Sequence, residues 1–337
     1  MSNPIDFVIT WVDGDDKEWL DLREKYKVSK DGDDNRKRRY RNWNNLKYVL
    51  RGIEENAPWF NHVYIVTPGQ CPDWLDESCD KISIINQNDL LDDCFLPTFN
   101  NCAVELVLHK IPGLSENFVY INDDMFIIKN TEPEDFFIGN KPCDTVAFSP
   151  IQAVYSKDGK SVYGISVMNT RLVAKRFTKA EVMRNCKKKF FNLKNGKEII
   201  KTISMIPYKG ITGFNEMHTA YSYNKKTFYD VWMLAEEELK ETCGNKFRGE
   251  FSLAHWCMRY WQICEGNFEV RNRNFSRFFD MYYKGDQLDV INCIRKKKNK
   301  MICINDNVEN DEDFPIICNE INKALDNCFP KKSMFEL

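Results

Sequence analysis

Ile5-Asp6-Phe7-Val8-Ile9-Thr10-Trp11-Val12-Asp13-Gly14-Asp15-Asp16 runs apolar for most of its length and then breaks into an acidic, glycine-containing turn. The run reads as a strand, and the turn as the end from which it presents polar groups. Outward from it the same alternation repeats. Asn44–Asn56 reads as a helix, His62–Thr67 and Lys81–Asn86 as strands, Asn100–Lys110 as a helix and Phe118–Ile121 as a strand. Leu46, Val49, Leu50 and Ile53 fall at helical spacing and stop before Ala57-Pro58, where the residue preceding proline leaves the helical region. Ala103, Val104, Leu106, Val107 and Leu108 are apolar around most of a helix, which predicts a buried one. Strands alternating with helices predict an α/β fold with a mostly parallel sheet flanked by helices.

In such sheets ligands bind beyond the carboxyl ends of the strands. Those ends here are Asp13-Gly14-Asp15-Asp16, Thr67-Pro68-Gly69-Gln70 and Asn122-Asp123-Asp124, which should converge on one crevice.

A chain of 337 residues, 43% of them hydrophobic, can bury a large core and is expected to form one domain, 1–337. Its 48 basic and 50 acidic residues nearly cancel, which excludes the global positive field of a nucleic-acid binder. No apolar run approaches the roughly 20 residues of a membrane-spanning helix, and the opening residues read as a strand, not a targeting leader. A cytoplasmic location is expected. Thirteen cysteines, at spacings unlike those of zinc knuckles, predict free and mostly buried thiols. Residues 151–212 are rich in lysine and aromatics and read as an insertion or flap. Within them Lys187-Lys188-Lys189-Phe190-Phe191 suits either peripheral contact with an anionic membrane or a solvated helix face.

The acidic turn after Phe118-Val119-Tyr120-Ile121 has the chemistry to hold Mg2+ or Mn2+ against a diphosphate, because a hard cation takes one or two carboxylates and leaves positions for phosphate oxygens. Acidic pairs also serve ordinary turns and caps. Trp11, just before the first acidic loop, suits a nucleobase or the core equally. Arg39, Arg41 and Arg248 are the candidate guanidinium grips for a diphosphate. Of the four histidines, His62, His109 and His255 sit in apolar patterns. His218, in the polar stretch Gly213–Thr219, is the candidate general base.

The order Ile5–Gly14 resembles the first signature of the Stealth family of sugar-1-phosphate transferases. A second, longer signature is matched from Leu46-Lys47-Tyr48 through Ala57-Pro58-Trp59, Tyr64–Thr67, Gln70, Leu96–Asn100, Glu105, Leu108-His109 and Ile111–Glu116 to Asn122-Asp123-Asp124. His218-Thr219 with Phe247-Arg248 resembles the third, and Cys303-Ile304-Asn305-Asp306 the fourth. The resemblance implies a GT-A-like nucleotide-sugar-transferase fold with helical insertions. It also implies transfer of a hexose- or hexosamine-1-phosphate from a UDP-sugar, by family habit UDP-N-acetylglucosamine, to a hydroxyl of a capsular or cell-surface glycan, free or lipid-linked, with release of UMP. Carried onto this chain, it implies His218 as base, Arg248 as phosphate clamp, Asp123 as a catalytic acidic residue, and Asp123, Asp124, Asn305 and Asp306 around the metal. Thr10, Trp11, Val12 and Asp13, with Gln70, Asn100 and Asn122, would then bind the donor.

Two rival readings use the same residues. A glycosyltransferase would attack the sugar carbon and release UDP. A glycan-binding module would use Trp43, Trp59, Trp74, Trp232, Trp256 and Trp261 as stacking platforms.

Overall fold

The structure is a computed structural model that describes residues 3–27, 40–153 and 162–337. The described strands are β1 (Ile5–Thr10), β2 (Val63–Thr67), β3 (Ile82–Asn86), β4 (Asn117–Asn122), β5 (Met125–Ile127), β6 (Phe137–Ile138), β7 (Lys141–Asp144), β8 (Tyr221–Asn224), β9 (Glu269–Val270), β10 (Ser276–Met281) and β11 (Met301–Asp306). The central sheet runs β3, β2, β1, β4, β8. Its first four strands are parallel, and β8 lies antiparallel against β4. Ile5 to Ile9 are all buried, as befits a strand covered on both faces, and this is why the sequence there is apolar without alternation.

The helices are α1 (Lys17–Tyr26), α2 (Leu46–Asn56), α3 (Asn101–Leu106), α4 (Tyr163–Ala174), α5 (Lys179–Phe190), α6 (Glu198–Met205), α7 (Lys225–Gly244), α8 (Trp256–Glu265), α9 (Gln287–Lys296) and α10 (Asp313–Cys328). The α2 stripe is buried at Leu46, Val49, Leu50 and Ile53, each worth about 1.5–3 kcal/mol of removed apolar surface. The predicted helix over 100–110 divides into α3 and a 3₁₀ turn, Leu108–Lys110.

Of the strands beyond those expected from the sequence, two bear on the site. One is β8, whose Tyr221 and Tyr223 favour an extended chain. The aromatic run ending at Asp280 forms β10, which pairs in parallel with β11, and β11 in turn lies antiparallel to β5.

From residue 162 to 212 the chain packs into the body of the fold. Ile165, Leu172 and Val173 of α4 and Val182, Cys186 and Phe190 of α5 enter the same hydrophobic core as the sheet, and both helices pack on α8. Phe190 is fully buried and stacks on Phe148 at 4.5 Å, while Lys189 Nζ donates to the Gly266 carbonyl at 3.1 Å. The aromatic half of Lys187–Phe191 therefore turns toward the core, Phe190 inside it and the half-buried Phe191 against it.

All thirteen cysteines are free, and eight are buried. Trp43, Trp256 and Trp261 are buried, and Trp59, Trp74 and Trp232 pack against the core, so these indoles build the interior and leave no row of platforms for glycan stacking. No described helix is long and apolar enough to cross a membrane.

Candidate active site

The carboxyl ends of β1, β2 and β4 open on a cleft of about 670 Å³. The predicted convergence is real, and the loops hold one another. Gln70 Oε1 accepts from the Asp13 backbone N–H at 2.7 Å while Gln70 Nε2 donates to the Asp13 carbonyl at 3.1 Å. Asp13 Oδ1 accepts from the Asp15 N–H and from Asn42 Nδ2, both at 3.1 Å. Asp16 caps α1 through the Trp19 N–H at 2.6 Å. Gly14 is required by proximity: a Cβ there would lie 1.5 Å from the Tyr40 carbonyl oxygen. The first acidic loop is thus a set of turns and caps that shape the rim.

Several of the remaining candidates are held in the same way. Thr10 Oγ1 lies 2.9 Å from the Tyr120 hydroxyl, which donates to Glu105 at 3.2 Å. Asn100 caps α3 and donates to the carbonyls of Thr242 and Asn245, each at 3.2 Å. Trp11 is buried against the core with an edge on the cleft, and Val12 packs beside Trp19 and Phe99. Arg41 grips Asp306 with two nitrogens, at 3.0 and 2.7 Å, and donates to the Val308 carbonyl at 2.6 Å. Asp306 also accepts from Trp43 Nε1 at 3.2 Å and the Val308 N–H at 3.0 Å. A diphosphate grip at Arg41 or a metal ligand at Asp306 would have to break this network, so the pair builds a wall of the cleft. Arg39 lies outside the described residues.

The floor is different. Asp123 and Asp124 occupy the turn from β4 into β5, with Asn122 beside them at the end of β4. Asp124 Oδ1 is buried and has no hydrogen-bond partner among the described residues. Burial pushes Asp123 up to about 6, and burial together with the neighbouring Asp123 charge pushes Asp124 up to about 7. The Ile304 N–H donates to the Asp124 carbonyl at 2.9 Å, which brings the end of β11 against this turn. Cys303 Sγ thereby reaches the Asp124 carboxylate, and Asn305 donates to Asp280 Oδ1 at 2.5 Å.

His218 arrives on the chain leading into β8. β4 and β8 pair as Asn117↔Asn224 through Tyr120↔Tyr221, and His218, three residues before β8, comes within 4.8 Å of the ligand atoms of Asp124 and Cys303. Its φ of 46° is in the left-handed region, a local strain that residues other than glycine rarely bear and that clusters at functional sites. Phe278 meets the ring edge-on at 5.1 Å. Two residues earlier, Glu216 accepts from Arg259 at 2.9 Å, and Arg259 grips Asp144 at 2.6 and 3.2 Å. Burial still lifts Glu216 to about 7, the Arg259 charge opposing it. Arg248, on the loop after α7, faces the cleft and has no hydrogen-bond or ion-pair partner among the described residues. Its loop is pressed by α4, where a Cβ on Gly164 would come within 2.4 Å of the Glu250 carbonyl oxygen.

Asp124, His218 and Cys303 bring one potential ligand atom each within 4.8 Å of one another. The orphaned Asp124 oxygen beside a second carboxylate fits a hard divalent cation, whereas the Cys303 thiol is a soft donor that such a cation disfavours. Of the four metal ligands expected, Asp123 and Asp124 are placed to serve, Asn305 is turned to Asp280, and Asp306 is held by Arg41. Asp280, Glu216 and Phe278 had not been assigned a role. The signal for Asp280 was the same as for the others, a strand ending in an acid, but the strand itself went unread. Of the other histidines, the buried His255 also borders the cleft and has Nδ1 2.7 Å from the Tyr223 hydroxyl, burial takes His109 down to about 4, and His62 Nε2 lies 2.8 Å from the Ser83 hydroxyl.

Three stretches match Stealth protein conserved regions: region 1 over residues 3–31, region 2 over 39–144 and region 4 over 292–337. The chain is 37% identical to a capsular polysaccharide phosphotransferase WcwK of Streptococcus pneumoniae, covering 98% of both chains. It is 34% identical to the exopolysaccharide phosphotransferase cps2G of Lactiplantibacillus plantarum, covering 98% of this chain and 96% of that one. Among solved structures, a galactosyltransferase LgtC in complex with donor and acceptor sugar analogues is similar at a TM-score of 0.41 and 10% identity, covering 96% and 95% of the two chains, a likeness from which nothing further is argued. An α/β enzyme of the phosphotransferase class is what these relationships and the cleft define. Within that class, the chain belongs to the Stealth family.

Proposed function

We propose that this enzyme transfers a hexose- or hexosamine-1-phosphate from a UDP-sugar, UDP-N-acetylglucosamine by default, to a hydroxyl of a growing capsular or cell-surface polysaccharide, forming a phosphodiester and releasing UMP. The observation that carries the reading is the contrast within the cleft: two carboxylates, an arginine and a histidine in a strained backbone conformation line it together, and among the described residues Arg248 and one buried Asp124 oxygen have no hydrogen-bond partner. Phosphoryl transfer asks chiefly for positioning and for charges ready to meet the phosphate oxygens.

In this reading Asp123 and Asp124 hold Mg2+ or Mn2+, which supplies charge neutralisation and orientation at the diphosphate. Arg248 binds the phosphate oxygens, which develop charge as the monophosphate departs. His218 accepts the proton of the acceptor hydroxyl as it attacks the sugar-linked phosphorus, and Phe278 fixes the plane of its ring. Asn122 and the edge of Trp11 border the donor. Asp13 and Gln70 act on it only by holding the β1 loop in shape.

The test is to incubate the purified chain with magnesium, a panel of UDP-sugars and oligosaccharide acceptors, and to identify the nucleotide released. UMP with a phosphate-bridged product supports the reading. UDP with a phosphate-free glycoside overturns it in favour of a glycosyltransferase.

A further inference from the structure

α6 is built with its polarity reversed. On a helix packed against a globular body the apolar stripe turns inward and the polar residues face water. Here Glu198 and Thr202 are the buried positions, with relative exposures of 1% and 0%. Glu198 is held by Arg273 at 3.2 Å and by Lys201 at 2.8 Å, and Thr202 Oγ1 accepts from the Phe148 N–H at 3.2 Å. Ile200 and Ile203, neighbours one turn apart, are 69% and 53% exposed. Leu193, in the 3₁₀ turn packed against α6, is 88% exposed, and Ile206 and Tyr208 follow the helix on the surface. Polar anchors fix the inner side, so the outer isoleucines contribute little to folding. Lys179 Nζ adds a tie to the Tyr208 carbonyl at 2.7 Å, together with a bond to the Met205 carbonyl, and the exposed ridge is thereby held rigid.

The surroundings of this ridge are of one sign. From residue 182 to 212 the chain has eight basic residues and a single acidic one, the buried and paired Glu198. Lys187, Lys188, Lys194, Lys197, Lys201 and Lys209 are all exposed. An apolar crest within a collar of lysines matches a surface that has negative headgroups over a hydrocarbon interior. A second protein would need an acidic rim around an apolar patch, and a second copy of this chain would set lysine against lysine.

We propose that α6 and the turn before it form a docking face for anionic lipid bilayers, seating Ile200, Ile203 and Leu193 at the headgroup boundary while the lysine collar meets the lipid charge. The proposal is independent of the chemistry assigned to the cleft.

Co-sedimentation of the full chain with two kinds of vesicle tests it: phosphatidylcholine alone, and equal parts of phosphatidylcholine and phosphatidylglycerol. The expected result is binding to the second kind only, weakened by added salt. Ile200→Glu/Ile203→Glu and, separately, Lys194→Glu/Lys197→Glu should each lower it by about tenfold or more. Both pairs change exposed side chains, so the thermal melt and turnover on soluble substrates should stay at the wild-type level. The lysine pair keeps the test sound should the isoleucine pair misfold. Absence of binding to either vesicle, or binding that survives both pairs, overturns the proposal. Concentration-dependent self-association in sedimentation velocity that the isoleucine pair abolishes, with no vesicle binding, assigns the face to a second copy and overturns it as well.

Discussion

Arg41 and Arg248 line the same cleft and are treated in opposite ways. Arg41 is enclosed by Asp306, Asp311 and the Val308 carbonyl and lies over the Phe314 ring, whereas Arg248 has no protein acceptor among the described residues. The same division runs through the acids. Asp306, Asp13 and Asp16 are occupied by donors of the chain itself, and Asp124 keeps an oxygen that none of them reaches. A polar residue beside a cleft is therefore informative about chemistry only when the fold has left it unsatisfied. Satisfied neighbours are masonry, costly to remove for reasons of stability.

The sharpest break of this contrast is at the floor. His218→Ala should abolish turnover while nucleotide-sugar binding, followed by calorimetry, stays largely intact; full activity would remove the histidine from the mechanism. Asp124→Asn should lower kcat by roughly 10³-fold with no loss of thermal stability, since it relieves a buried carboxylate whose burial outweighs the hydrogen bonds it receives. Next come the two arginines. Arg248→Ala should cost about 10²–10³-fold in kcat/KM at an unchanged melting temperature, whereas Arg41→Ala should lose about 3–5 kcal/mol in urea unfolding by stranding Asp306. If both variants fail by unfolding, the division into wall and site collapses.

A gentler effect concerns pH. Asp123 and Asp124 bind protons more tightly in the fold than in the unfolded chain, where carboxylates titrate near about 4. Their contribution to stability is fully present below that value and is lost as pH rises through 6 and 7. Metal-free protein should therefore show a melting temperature that falls across this window, and Mn2+ should restore it at pH 8 in the wild type but not in Asp124→Asn. The smallest change is expected at Gln70→Ala, about 1 kcal/mol of stability with a modest rise in KM, because only the brace on the Asp13 backbone goes.

Much of this arrangement was legible in the residues. β1, β2, β3 and β4 are apolar runs ended by polar turns, and the rule that ligands gather at such ends led directly to Asp123 and Asp124. What stayed hidden depends on contacts distant in sequence. Nothing near Arg41 announces that Asp306 will neutralise it from 265 positions away. β8 and β10 are short strands whose aromatic and polar residues suit either regular structure, and only pairing with β4 and β11 decides between them. The inversion of α6 was hidden for a related reason: its apolar residues lie where a core stripe would be sought, and only the partners of Glu198 and Thr202, distant in sequence, decide which side is buried.

The bond from the Ile304 N–H to the Asp124 carbonyl also sets a timetable for biosynthesis. β1 to β4 can pair before β11, whose end completes the floor, has been made, because β11 follows β4 in the chain with α4 to α9 between them. A nascent chain would have its carboxylates in place and still lack the strand that braces them.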